Sequence, residues 1–168
     1  ASDVYKRQVN EVVPGTVDFD ANTSSGGYAD LVVTLNMVDG AALKNIRSNG
    51  KTLEENWQYK VDGSTVTLSK TAVAQFGKDG ATYADFTFVM SKGQSPTLRV
   101  NYVTTYALTA NVVDDLGLPI SGATVTFTPN DAESGTAAQT LVTDSDGKAT
   151  VYVKRGLSLI HISEPTRL

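Results

Sequence analysis

The stretch Ala84-Asp85-Phe86-Thr87-Phe88-Val89-Met90 sets Phe86, Phe88 and Met90 at every second position. Side chains alternate between opposite faces only in an extended chain, so this run reads as a strand with one buried stripe. Similar short runs, rich in β-branched and aromatic residues, recur at 16–19, 31–35, 43–48, 58–61, 65–68 and 97–102. Clusters of Gly, Asn, Asp and Ser separate them, as expected of strands joined by tight turns. Within 65–68, Val66 and Leu68 point one way while Thr65 and Thr67 point the other. Asp62-Gly63-Ser64 carries the composition of a hairpin turn. Ser69, ahead of Lys-Thr-Ala-Val-Ala-Gln-Phe, breaks the alternation and reads as the cap of one helical turn crossing between sheets.

Seven short strands with regular turn spacing predict an immunoglobulin-like sandwich whose core includes Val33, Ile46, Tyr59, Val66, Phe86, Phe88 and Leu98. The Cys…Trp…Cys signature of antibody domains is absent. A second period opens after a short junction at 101–105, with a long strand over 106–114 and further strands through Val125 and Phe127, and through Val151 and Val153. Its length is small for a closed sandwich. The expected fold is therefore all-β: two tandem immunoglobulin-like β-sandwich domains at 9–103 and 104–156, the second incomplete.

The ends read differently. Asp3-Val4-Tyr5-Lys6-Arg7-Gln8 and Leu157-Ser158-Leu159-Ile160-His161-Ile162 can be encoded by one short DNA element in opposite orientations. That element resembles the transposase end sequence of sequencing-library adaptors, so 1–8 and 157–168 are set aside as adaptor-derived and the remainder as an internal fragment. The 157–162 segment is apolar and partly β-branched. An incomplete domain leaves a sheet edge open, and this segment is expected to lie extended against it.

Several chemistries drop out. His161 is the only histidine and lies in the set-aside end, and there is no cysteine. Histidine-based catalysis, histidine-ligated metals, thiol nucleophiles and disulfides are excluded between the ends. Lys and Arg number 14 against 18 Asp and Glu, scattered rather than blocked, and no basic stripe points to nucleic acid. No apolar run is long enough to insert into a membrane. Asp144-Ser145-Asp146-Gly147 begins like a calcium loop but lacks its later ligands, so a turn with Asp side chains bonding their own backbone is expected. Glu54 and Glu55 are adjacent and make a poor acid–base pair. No cofactor site and no enzyme activity are expected.

The words "DFD" (18–20), "ADLVVTLNM" (29–37), "ALKNIRSNGKTLEENWQYKVDGSTVTLSKTAV" (42–73) and "FTFVMSKGQSPTLRVNY" together resemble the X2 family of carbohydrate-binding-module-like immunoglobulin domains. Gln58 departs from that pattern, where the family usually has an acidic residue, and so does the 36–41 loop. The second segment, with "VVDDLGLPISGATV" and "TDSDGKATV", resembles bacterial Ig-like and prealbumin-like surface modules, including the carboxypeptidase-regulatory-like and Cna-B-like types. Some of those carry a Lys–Asn crosslink; "YALTANVV" has no lysine, and the crosslink is not carried over. The resemblance implies a non-catalytic module of a larger bacterial protein, extracellular or on the cell surface, associated with polysaccharide degradation.

Trp57 and Tyr59 lie two apart and would share a face on one strand. Tyr59 reads as core, continuing into Val61. For Trp57, core and sugar-stacking platform both stay open. Tyr28 and Tyr83 sit beside turns, where loop aromatics can contact ligand. The candidate carbohydrate contacts are Trp57, Tyr28 and Tyr83. The expected function is weak binding of polysaccharide, either cellulose or bacterial cell wall, or positioning of a linked glycoside hydrolase among neighbouring domains of the parent chain. The alternative is a structural stalk, spacer or adhesin module with no ligand.

Overall fold

The computed structural model describes residues 9–129 and 137–154, and the backbone of 159–162. Expectations for 1–8, 155–158 and 163–168 fall outside the described residues. The chain divides into two compact units, Ala1–Val103 and Thr104–Leu168.

Unit 1 is built from β1 (Glu11–Val13), β2 (Thr16–Asp20), β3 (Leu31–Asn36), β4 (Leu43–Ser48), β5 (Lys51–Thr52), β6 (Tyr59–Asp62), β7 (Thr65–Leu68), α1 (Lys70–Phe76), β8 (Tyr83–Met90) and β9 (Thr97–Val103). One sheet runs β1-β3-β7-β6 and the other β2-β9-β8-β4-β5. Both contribute to one core: Val33, Leu35, Val66 and Leu68 from the first, and Phe19, Ile46, Phe86, Phe88, Leu98 and Val100 from the second. This is a two-sheet sandwich. Every residue of the expected core is buried, the least so being Tyr59 at 3% exposure. Each large apolar side chain withdrawn from water contributes about 1.5–3 kcal/mol.

Among the described residues nine strands replace the seven expected, because β1 and β5 escape a reading based on alternation. They hold three and two residues, too few to show a period, and pairing alone defines them. Pro14-Gly15 carries the chain from β1 in one sheet to β2 in the other. Proline has no N–H for the ladder, which suits a point where pairing is handed over. β2 then runs parallel to β9.

The hairpin and the cap form as the sequence requires. Asp62 pairs with Thr65 across Gly63-Ser64, with Gly63 at φ +60°. Ser69 Oγ accepts from the Ala72 N–H at 3.2 Å and opens α1, which links β7 in one sheet to β8 in the other. Asn10, 4% exposed, donates to the carbonyls of Lys92 and Gln94 at 2.8 and 2.7 Å. It also accepts from the Val38 N–H at 2.8 Å, so one buried amide ties three loop segments together.

The Tyr102 hydroxyl donates to the Val73 carbonyl of α1 at 2.6 Å. Burial pushes this phenol up to about 12, against about 10 for an unperturbed tyrosine. Because the folded value is raised, the stabilisation is complete below about pH 10 and is lost as pH climbs through about pH 12. Tyr102→Phe is therefore expected to lose about 1 kcal/mol near neutrality. It should also show a shallower alkaline decline than the wild type in denaturant midpoints taken across that window. Parallel declines would mean that Tyr102 does not titrate differently in the folded state.

Unit 2 comprises β10 (Thr105–Asn111), β11 (Thr124–Pro129), β12 (Gln139–Val142), β13 (Lys148–Lys154) and β14 (Leu159–Ile162). One sheet pairs β10 with β13, and the other runs β12-β11-β14. Ala110, Val125, Phe127, Ala149 and Val151 form its core. The strand expected over 106–114 stops at Asn111 because Asp114 turns the chain. Its Oδ1 accepts from the N–H groups of Leu116 and Leu118 at 2.9 and 3.0 Å. As expected of the 157–162 segment, its backbone is extended over 159–162 and pairs antiparallel with β11.

Candidate functional site

Trp57 does not lie on a strand with Tyr59. Residues 54–58 form a turn in which the Gln58 N–H donates to the Glu54 carbonyl at 2.8 Å, and the Asn56 N–H to the Tyr59 carbonyl at 2.7 Å. Asn56 adopts φ +67°, a left-handed conformation that asparagine tolerates better than most residues. The Gln58 side chain closes the turn, its Oε1 accepting from the Glu54 N–H at 2.8 Å. Gln58 is the position that departs from the X2 pattern, and the carboxamide serves as the turn's clasp.

The outcome for the two aromatics is opposite. Tyr59 goes into the core, where burial first and the nearby Glu55 second raise its phenol above the ordinary range. Trp57 is 67% exposed. Val61 does not continue the Tyr59 face inward, being 39% exposed on β6 at the edge of its sheet.

Tyr28 is half-buried. Its ring tilts against Phe19 with centroids 5.4 Å apart, and the Lys70 ammonium lies 5.7 Å from its centroid. Packing explains its position. Tyr83 opens β8 on the outer face of the five-stranded sheet and is 49% exposed. The Arg99 guanidinium stacks 4.1 Å from its ring centroid. Arg99 is held there by a two-pronged contact with Asp85, Nε to Oδ1 at 2.8 Å and an Nη to Oδ2 at 2.9 Å. That contact holds the Asp85 carboxyl below the usual carboxylate range. The three candidate aromatics therefore occupy three separate settings: an open turn, a loop packed on the core, and a sheet face under an arginine.

Two features of this region were not singled out in the sequence. One is the Arg99–Tyr83 stack, which joins residues sixteen apart across a β8–β9 pairing offset and leaves no local signal. The other is the Asn49-Gly50 turn between β4 and β5, with φ +49° and +75°. The Asn-Gly dipeptide between paired strands was its readable signature.

Asp144 behaves as a turn residue. Its Oδ1 accepts from the N–H groups of Asp146 and Lys148 at 2.9 and 3.0 Å, the same pattern that Asp114 makes. Among the described residues no group of three or more His, Cys, Asp or Glu side chains converges in a way that could hold a metal ion.

The carbohydrate binding domain X2 family matches residues 12–100. Cellulose-binding protein A of Clostridium cellulovorans is 35% identical over 109 residues, which is 65% of this chain and 6% of that protein. The chain thus spans a small part of its curated relative. Among solved structures, the full-length tri-modular endo-beta-1,4-glucanase B of Bacillus halodurans aligns with a TM-score of 0.48 and 13% identity, over 90% of this chain and 34% of that one. A tri-modular endo-beta-1,4-glucanase of Bacillus licheniformis complexed with cellotetraose aligns with a TM-score of 0.47 and 17% identity, over 86% and 32%.

Proposed function

The chain belongs to the carbohydrate binding domain X2 family, and from that membership we propose that it is a non-catalytic, extracellular accessory module that binds polysaccharide weakly. Its partners are then an insoluble glycan, cellulose or bacterial cell wall, and the neighbouring domains of a longer parent chain that includes a glycoside hydrolase or a scaffold. The observation that carries this reading is Trp57. Its indole is 67% exposed on a turn clasped by Gln58, so a large apolar ring is held in water by a braced backbone. The flat, apolar face of a pyranose suits such a ring. The relative called a cellulose-binding protein supports the same class of ligand.

One observation favours the spacer reading instead. Tyr28 packs on Phe19 and Tyr83 lies under Arg99, so each of the other two candidate aromatics is engaged elsewhere.

The test is retention on insoluble cellulose and on purified cell wall, wild type against Trp57→Ala. Removing a central aromatic anchor typically costs 2 kcal/mol or more, so retention is expected to fall by roughly thirtyfold. The melting temperature should hold, because the side chain is exposed. Equal retention of the two proteins would remove Trp57 from the contact. No retention of the wild type on either material would leave the spacer.

A further inference from the structure

Two hollows flank the Asn49-Gly50 turn. The first, about 270 Å³, lies between that turn, the residue that follows Trp57, and the end of α1. Its polar lining includes Asn49, Lys51, Gln58, Gln75, Lys78 and Asp79. The second, about 380 Å³, opens on the other side of the turn against Arg47, Asp85 and Thr87. Asn49 lines both.

We propose that the two hollows form one open-ended track for a neutral polysaccharide chain, crossing the crest of the turn at Gly50. This rests on the carbohydrate-binding reading above and gives it a location, with Trp57 at one side through its neighbour Gln58.

The lining matches hydroxyl chemistry. A sugar hydroxyl both donates and accepts, and a carboxamide does the same through separate atoms. Asn49, Gln58 and Gln75 supply three carboxamides, Lys51 and Lys78 supply donors, and Asp79 supplies an acceptor. The side chains of Lys51, Gln75, Lys78 and Asp79 are exposed at the hollow and keep their hydrogen-bonding capacity for a ligand. Gln58 spends its Oε1 on the turn, which orients its NH2 group and leaves it to donate.

The shape matches a chain rather than a single small molecule. Ligand pockets usually measure about 300–1,000 Å³, so the first hollow alone is small and the two in series are of ordinary size. A methyl group built on Gly50 would meet nothing within 4 Å, so the ridge presents bare backbone. An internal segment of a long polymer needs a passage open at both ends, which two hollows joined over Gly50 would give.

The charges favour a neutral polymer. Lys51, Lys78 and Asp79 line the first hollow, and Arg47 and Asp85 line the second. Each hollow carries both signs. A polymer charged at every ring would gain at one contact and lose at the next.

The full chain would be run in native gels containing hydroxyethylcellulose, a neutral polymer, or polygalacturonate, an anionic one. Hydroxyethylcellulose is expected to retard the wild type equally at low and high salt. Gln75→Ala with Lys78→Ala removes two hydrogen-bonding groups from the first hollow and should weaken binding about tenfold. Arg47→Ala with Thr87→Ala in the second hollow should weaken it comparably. Lys60→Ala, on exposed β6, should change nothing, and all variants should melt as the wild type does. Wild-type retardation that both hollow variants retain in full would overturn the track while leaving the carbohydrate-binding reading intact. Retardation by polygalacturonate alone, abolished by salt, would overturn the neutral ligand. Absence of retardation in either gel, together with no retention on cellulose, would remove both the track and the reading on which it rests.

Discussion

Phe86→Ala is expected to lower the melting temperature of unit 1 by on the order of 20 °C while leaving the unit 2 transition in place. Phe86 is fully buried in the middle of β8, between the two sheets. Its ring meets that of Phe76 edge-on, with centroids 5.3 Å apart at 78°, so it also anchors α1 to the sandwich. Truncating a buried phenylalanine costs about 3–5 kcal/mol in lost transfer energy and residual cavity. Losing an edge-to-face partner adds about 0.5–1.5 kcal/mol. Against a typical total stability of about 5–15 kcal/mol this is a large fraction. Thr87→Ala, one residue on and on the outer face, is the control and should cost little. Calorimetry of both variants decides the matter. Similar small losses from the two would mean that β8 does not present its alternating stripe to a packed core.

The second large effect is expected from Gly147→Ala, compared directly with Gly117→Ala. Both glycines sit at the fourth position of an Asp-x-x-Gly turn, at φ +72° and +80°, where an L-residue pays roughly 1–2 kcal/mol in strain. Their surroundings differ. A Cβ on Gly117 would meet open space, whereas one on Gly147 would lie 2.5 Å from the Val112 carbonyl oxygen and 3.0 Å from Pro119 Cβ. The Gly147 carbonyl also accepts from the Val112 N–H at 2.8 Å, so backbone separation there disturbs a hydrogen bond. Gly147→Ala should therefore cost about 3 kcal/mol or more, as strain and overpacking combine. Gly117→Ala should cost the strain alone. Among the described residues the core of unit 2 holds five buried side chains, and a loss of that size should leave it largely unfolded at ambient temperature. Loss of hydrogen-exchange protection across β10 and β13, with unit 1 still protected, is the readout. Equal effects from the two substitutions would show that the close approach to Val112 is not maintained in solution.

What could be read from the sequence is local. Phe86, Phe88 and Met90 all turn inward, as a period of two demands. Ser69 caps α1, and Gly63-Ser64 closes a hairpin, because caps and turns depend on residues only a few positions apart. Asp144 binds its own backbone for the same reason. The carbohydrate-binding family was legible too, as an ordered set of words from Asp18 to Tyr102, and the family match covers residues 12–100.

Tertiary structure decided everything that needed a distant partner. Alternation placed Trp57 on the same face as Tyr59. The chain instead satisfies its backbone polar groups through a turn at Asn56 and Gln58, so one ring is buried and the other stands in water. β1 and β5 exist only because β3 and β4 offer edges to pair with, and no periodicity can announce a strand of two residues. The extended habit of 159–162 and its place on an open edge were legible, but which strand supplies that edge, β11, was not. The hollows beside Asn49 collect residues from β4, β5, β8, two turns, and the end of α1 with the loop after it. Side-chain period is a property of the neighbouring bonds, while edges, turns under load and cavities belong to the way distant segments share hydrogen bonds and space.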